Sequence, residues 1–106
     1  MRKIEIKAIA LLEEGMAGRA GKNDFVESYK DSMIWRYHGS PIVRLEQNAN
    51  GKRVCIICDC DFRTHSTMSR LNAALAQYGQ SRIFQKDLSW YHGPSRWSGY
   101  FQFDSQ

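Results

Sequence analysis

The stretch Ser32–Asp59, SMIWRYHGSPIVRLEQNANGKRVCIICD, decides the fold class. Met33, Trp35 and Tyr37 recur at every second position, as do Val43 and Leu45, and then Val54, Ile56 and Cys58. Period two is the spacing at which side chains share one face of an extended strand. Two turn signals separate the runs. The first is His38-Gly39-Ser40-Pro41; the second, Asn48-Ala49-Asn50-Gly51, ends in an Asn-Gly pair that readily takes the positive φ of a hairpin. A three-stranded antiparallel meander is the expected result.

C-terminal to the meander, Ser66 to Tyr78 sets Met68, Leu71, Leu75 and Tyr78 on one helical face, with Gly79 just past the end and Thr64 or Ser66 as N-cap. The tail then predicts short strands at Ile83 to Lys86, Leu88 to Tyr91 and Tyr100 to Phe103, punctuated by Gly93, Pro94 and Gly99. On the N-terminal side, Ile4, Ala8, Leu11 and Leu12 recur at helical spacing between Lys3 and Glu14, although Ile4-Glu5-Ile6-Lys7 also alternates like a strand. Residues 15–24 hold three glycines and predict a flexible link. The predicted order is helix, three strands, helix and two or three further strands. It specifies one α+β domain over residues 1–106, an antiparallel sheet with helices on one face.

Composition supports a folded chain: 42% hydrophobic, 12% aromatic and 25% charged residues are ordinary globular values. No apolar run reaches the ~18–20 residues of a membrane span. Glu5 and Lys7 stand where a signal peptide would place its apolar region, so no export signal is read. The charge of +4, from 15 basic and 11 acidic residues, is spread from Arg2 to Arg96 and predicts weak polyanion affinity at most. Three cysteines crowd into Cys55–Cys60, unlike a spread disulfide framework, which points to a reducing cytoplasm.

Cys55, Cys58, Cys60 and His65 offer four soft ligands in eleven residues. A zinc knuckle needs a tight turn inside Cys-x-x-Cys, however, and the β-branched Ile56-Ile57 favour extended chain, which sends Cys55 to the face opposite Cys58 and Cys60. Free thiols without metal are expected. Asp59, Asp61 and His65 at a strand-to-helix junction resemble a hydrolytic metal set, but Asp residues are equally expected there as caps and turns. His38 and His92 each follow a tyrosine and precede a glycine, a pattern that aromatic strands ending in turns also produce. Nucleotide-loop and nucleophile-elbow motifs are missing from the sequence, so a non-enzymatic protein without a cofactor is expected.

Tyr37-His38-Gly39-Ser40-Pro41-Ile42-Val43, Asp61-Phe62-Arg63-Thr64-His65-Ser66-Thr67 and Arg70-Leu71-Asn72 together resemble a group of small tailed-bacteriophage proteins. These share Tyr-His-Gly-Thr-Pro-Ile-Val, Gly-Trp-Arg-Thr-x-Thr-Thr and a helix with Arg and Asn; this chain has Ser40 for threonine and Phe62 for tryptophan. The group carries no function to transfer. The resemblance implies a phage or prophage accessory protein acting in the bacterial cytoplasm. By analogy with other small phage proteins it would bind a host protein complex, as counter-defence inhibitors of CRISPR effectors do. A nucleic-acid-binding module is the alternative, because helix, three strands, helix is also the order of the double-stranded RNA-binding domain. The segment Thr64 to Arg70 has one fixed cation where that domain carries a lysine cluster. For either partner the expected contact residues are Trp97, Arg96, Arg63, Arg70 and Trp90, with Trp97 foremost, because it lies in a Gly93–Gly99 loop where a large apolar side chain has no evident packing role.

Overall fold

The structure is a computed structural model that describes residues 1–105. Helix α1 spans Lys3–Glu14; β1 Gly18–Gly21, β2 Asp24–Ser28, β3 Ser32–Tyr37, β4 Ser40–Gln47 and β5 Arg53–Cys58 follow; then α2, His65–Gln77; then β6 Ile83–Lys86, β7 Ser89–His92, β8 Ser95–Arg96 and β9 Tyr100–Asp104. The α+β class and the antiparallel sheet agree with the sequence expectation. β1 to β5 form a continuous antiparallel meander, and β9 adds to its edge beside β5, giving the order β1-β2-β3-β4-β5-β9. β6, β7 and β8 form a separate three-stranded sheet, so most of the tail does not extend the main sheet.

Register explains the core. Val26, Trp35, Val43, Ile57 and Phe101 stand opposite one another across five strands, and Met33, Leu45, Cys55 and Phe103 form a second row beneath. All of these join one apolar cluster with Ala8, Ile9 and Leu12 of α1 and Met68, Leu71, Ala74 and Leu75 of α2, so both helices cover this face. A bulge in β4 helps. Trp35 pairs with Val43 but Arg36 pairs with Pro41, leaving Ile42 as an extra residue, and Ile42 and Val43 are both buried in the core.

Of the two N-cap candidates, Thr64 is the one used by α2: its hydroxyl oxygen accepts the Thr67 amide at 3.1 Å. Its other end closes as predicted at Gly79, with φ of 69° and the Gln80 amide donating back to the Leu75 carbonyl at 2.9 Å. Asn72 then ties the helix to β6. Its amide nitrogen donates to the Ile83 carbonyl at 2.8 Å and its oxygen accepts the Ile83 amide at 2.6 Å. Leu71 is fully buried under this helix. Leu71→Ala is expected to cost ~2–5 kcal/mol, and an unchanged melting temperature would contradict the packing described.

The glycine-rich segment 15–24 is a correction to the sequence reading: it is not an irregular link but holds β1 and the first residue of β2. Its glycines answer a steric demand from α1. A Cβ on Gly21 would lie 2.9 Å from Ile4 Cδ1, and one on Gly18 would lie 3.3 Å from Leu11 Cδ1. Helix α1 therefore rests on β1 backbone. Glu5, 2% exposed, links the two helices by accepting the Ser69 hydroxyl at 2.5 Å and the Arg2 amide at 3.0 Å.

Candidate functional site

Two buried aspartates organise the side chains that the sequence singles out. Asp24, at the start of β2, is 1% exposed. Its Oδ2 accepts the Trp35 indole N–H at 2.9 Å and Arg70 Nε at 2.7 Å, and its Oδ1 accepts Arg70 Nη2 at 2.9 Å. Arg70 thus makes a bidentate pair inside the protein, with its guanidinium 3.8 Å above the Tyr37 ring. Burial works against its charge, but the Asp24 hydrogen bonds and charge outweigh it and raise its proton affinity above the ordinary arginine value. Arg70 is therefore a core residue, 5% exposed, and not the surface contact expected from its place on α2.

Asp59, immediately after β5, repeats the arrangement. It is 3% exposed; its Oδ2 accepts the Trp97 indole N–H at 2.8 Å and Arg63 Nε at 3.0 Å, and its Oδ1 accepts the Asp61 amide at 2.9 Å. The Arg63 guanidinium lies 6.0 Å from the Trp90 ring centroid. Gly99 is what lets the C-terminal segment approach: its carbonyl accepts the Asp59 amide at 3.0 Å, its φ is 104°, and a Cβ there would meet Asp59 Oδ1 at 3.4 Å.

Of the five expected contact residues, the structure brings Arg63, Trp90 and Trp97 together around Asp59, leaves Arg96 exposed on β8, and places Arg70 in the Asp24 cluster. Trp97 and Trp90 are 3% and 5% exposed. The reading of Trp97 as an exposed loop anchor is corrected: its amide donates to the Trp90 carbonyl at 2.9 Å and its ring completes the core between β7 and β9. A pocket of about 210 Å³ joins the two clusters, walled by Tyr37 from one and Asp59 from the other, with the 59% exposed Phe62 beside it.

The histidines and Cys55 stand apart from these two clusters. Both Asp59 carboxylate oxygens are occupied by protein donors, and among the described residues no group of three or more His, Cys, Asp or Glu side chains is placed to hold a metal ion. His38 lies beside Tyr37 at the β3–β4 turn with the rings tilted by 53°, while His92 packs against Phe101 and Trp97, so the two histidines do not share a site. Cys55 lies in the core and its thiol is pushed up to about 12 by burial, whereas Cys58, at the end of β5, and Cys60, in the turn after it, are half-buried.

Among the described residues no helix covers the other face of the main sheet. Register places Glu27, Ile34, Arg44, Ile56 and Gln102 in one row across five strands, with Phe25 and Arg36 on one side and Tyr100 at the far edge. Ile34 and Val54 are buried yet stand outside the core cluster. Phe25 and Tyr100 are 41% and 52% exposed. The charges on this face are matched: Arg36 pairs with Glu27, Arg44 with Glu46 at 3.1 Å and Lys52 with Asp104 at 2.8 Å, while Arg19 lies 4.7 Å over the Phe25 ring. On β5 the alternation Val54, Ile56 and Cys58 read from the sequence lies on this face, while Cys55 and Ile57 point into the core.

A family model described as Kyanoviridae Gp96 protein matches residues 1–104. The chain belongs to this family of phage proteins. The match covers the segments Tyr37–Val43, Asp61–Thr67 and Arg70–Asn72 that carry the phage resemblance, and also α1 and the β1–β2 hairpin. Comparison with curated proteins and with solved structures returned no match. No helix among the described residues is long and apolar enough to cross a membrane.

Proposed function

We propose that this Kyanoviridae Gp96 family member is a non-enzymatic accessory protein that binds a host protein or protein complex through the helix-free face of its main sheet. The observation that carries the reading is the composition of that face: Ile34, Ile56, Phe25 and Tyr100 interleaved with arginines already paired to Glu27 and Glu46. Aromatic and arginine side chains over an apolar base with balanced charge suit a protein surface. Nucleic acid, the alternative, asks for unpaired cations to meet phosphates, and on this face Arg36, Arg44 and Lys52 each hold a carboxylate. Inhibition of a host complex in counter-defence is a narrower form of the same proposal, decided by what the captured partner does.

The test compares capture from host lysate by the native chain, by Tyr100→Ala and by Ile6→Ala, whose side chain is equally exposed but on α1. A partner held by the sheet face should bind Tyr100→Ala weaker by ~2 kcal/mol, about thirtyfold, and Ile6→Ala normally. Capture that survives Tyr100→Ala, or that falls steeply with salt and vanishes on nuclease treatment, overturns the protein-binding reading.

A further inference from the structure

Cys58 ends β5 and Cys60 follows in a turn of positive φ, 51°, which folds the second thiol back onto the first. The two Sγ atoms stand 3.4 Å apart. Their roles are unequal. Cys58 Sγ accepts the Cys60 backbone N–H at 3.1 Å and faces the Cys60 thiol as well, while the Cys60 thiol also lies 3.5 Å from the Pro41 carbonyl oxygen and acts as donor. The Cys60 backbone N–H is thus aimed at the Cys58 sulfur. Burial, then the Cys58 contact, push the Cys60 thiol up to about 12. Both sulfurs border a surface groove of about 330 Å³ with Pro41, Arg44, Ile56 and Tyr100, wide enough for a small molecule. Cys55, one strand position away from Ile56, points into the core and has no such access.

We infer that Cys58 and Cys60 form a thiol–disulfide exchange site for a low-molecular-weight disulfide, with Cys58 as attacking sulfur and Cys60 as resolving sulfur. Cys58, its proton lost to water, attacks one sulfur of R–S–S–R; the S–S bond of the reagent breaks, a mixed disulfide forms on Cys58, and RS⁻ leaves and is protonated. Cys60 then releases its proton to solvent and attacks the Cys58 sulfur, expelling the second RS⁻, which is protonated in turn. The net change oxidises the two protein thiols to one disulfide and reduces R–S–S–R to two R–SH. This site is independent of the partner proposed above, although it borders the same face.

The test treats the reduced full-length chain with oxidised glutathione and follows intact mass, free thiols and peptide maps. The expected product has lost two hydrogens, links Cys58 to Cys60, leaves Cys55 unmodified until the protein is unfolded, and is reversed by dithiothreitol. Cys60→Ser should stop at a glutathione adduct on Cys58, and Cys58→Ser should react at least about tenfold more slowly. A native chain that retains all three thiols, or that accumulates a stable mixed disulfide without the Cys58–Cys60 link, overturns the site. Equal adduct rates for the two serine variants overturn the assigned roles.

Discussion

Asp24→Ala is expected to lower the unfolding free energy by about 3–5 kcal/mol, because it strands a buried guanidinium. Arg70 is 5% exposed and draws two of its hydrogen bonds from Asp24; a third, Nη1 to the Ser66 carbonyl at 3.1 Å, carries no compensating charge. The Trp35 indole N–H loses its acceptor at the same time, and an unmet buried donor adds ~1–3 kcal/mol to the disruption. Against a total stability of roughly 5–15 kcal/mol for a domain of this size, the loss reaches the whole margin at the low end of that range. Urea denaturation followed by tryptophan fluorescence measures it. The double variant Asp24→Ala with Arg70→Met should recover a large part of the loss, since removing both charges leaves none unpaired. A single variant within about 1 kcal/mol of the native chain would mean that the pair does not hold Arg70 in place.

Trp97→Ala should cost ~3–5 kcal/mol of stability, the usual range for a buried tryptophan. The residue is 3% exposed, touches the core that joins β7 to β9, and its indole N–H donates to the buried Asp59. Truncation removes the ring and leaves Asp59 Oδ2 with Arg63 as its remaining side-chain donor. Trp97→Phe should fall between the native chain and alanine, since it restores much of the apolar volume and none of the hydrogen bond. Thermal melts of the three proteins separate the possibilities: an alanine variant that melts like the native chain would return Trp97 to the exposed loop position that its sequence neighbours suggest.

The contrast between Trp97 and Leu71 shows what kind of information a sequence carries. Leu71 sits in a periodic stripe with Met68 and Leu75, and periodicity alone assigns it to the core, where it is found. Trp97 has no period around it. Gly93, Pro94, Ser95, Ser98 and Gly99 read as a loop, and the partners that hold it, Asp59 and His92 among them, come from other parts of the chain. Arg70 was misplaced for a related reason. It lies beside Leu71 on a buried helix face, but a charged residue reads as solvent-facing unless its counter-charge is known, and Asp24 is 46 positions away in the chain. The β1–β2 hairpin was hidden because its glycines read as freedom, whereas they make room for Ile4 and Leu11.

Local chemistry in the sequence was enough for the α+β class, the β3–β5 meander with its two turns, α1, and α2 with its Thr64 cap and Gly79 terminus, because periodicity and capping act within a few residues. It also sent Cys55 to the face opposite Cys58, since strand side chains alternate whatever the rest of the chain does. Tertiary structure decided the rest: which face of β5 is inside, with Cys55 and Ile57 inward although Val54 and Ile56 are equally apolar; the exclusion of β6 to β8 from the main sheet; and the two aspartate clusters. These depend on pairings between distant segments, whose free energy belongs to both partners together and so cannot be read from either one alone.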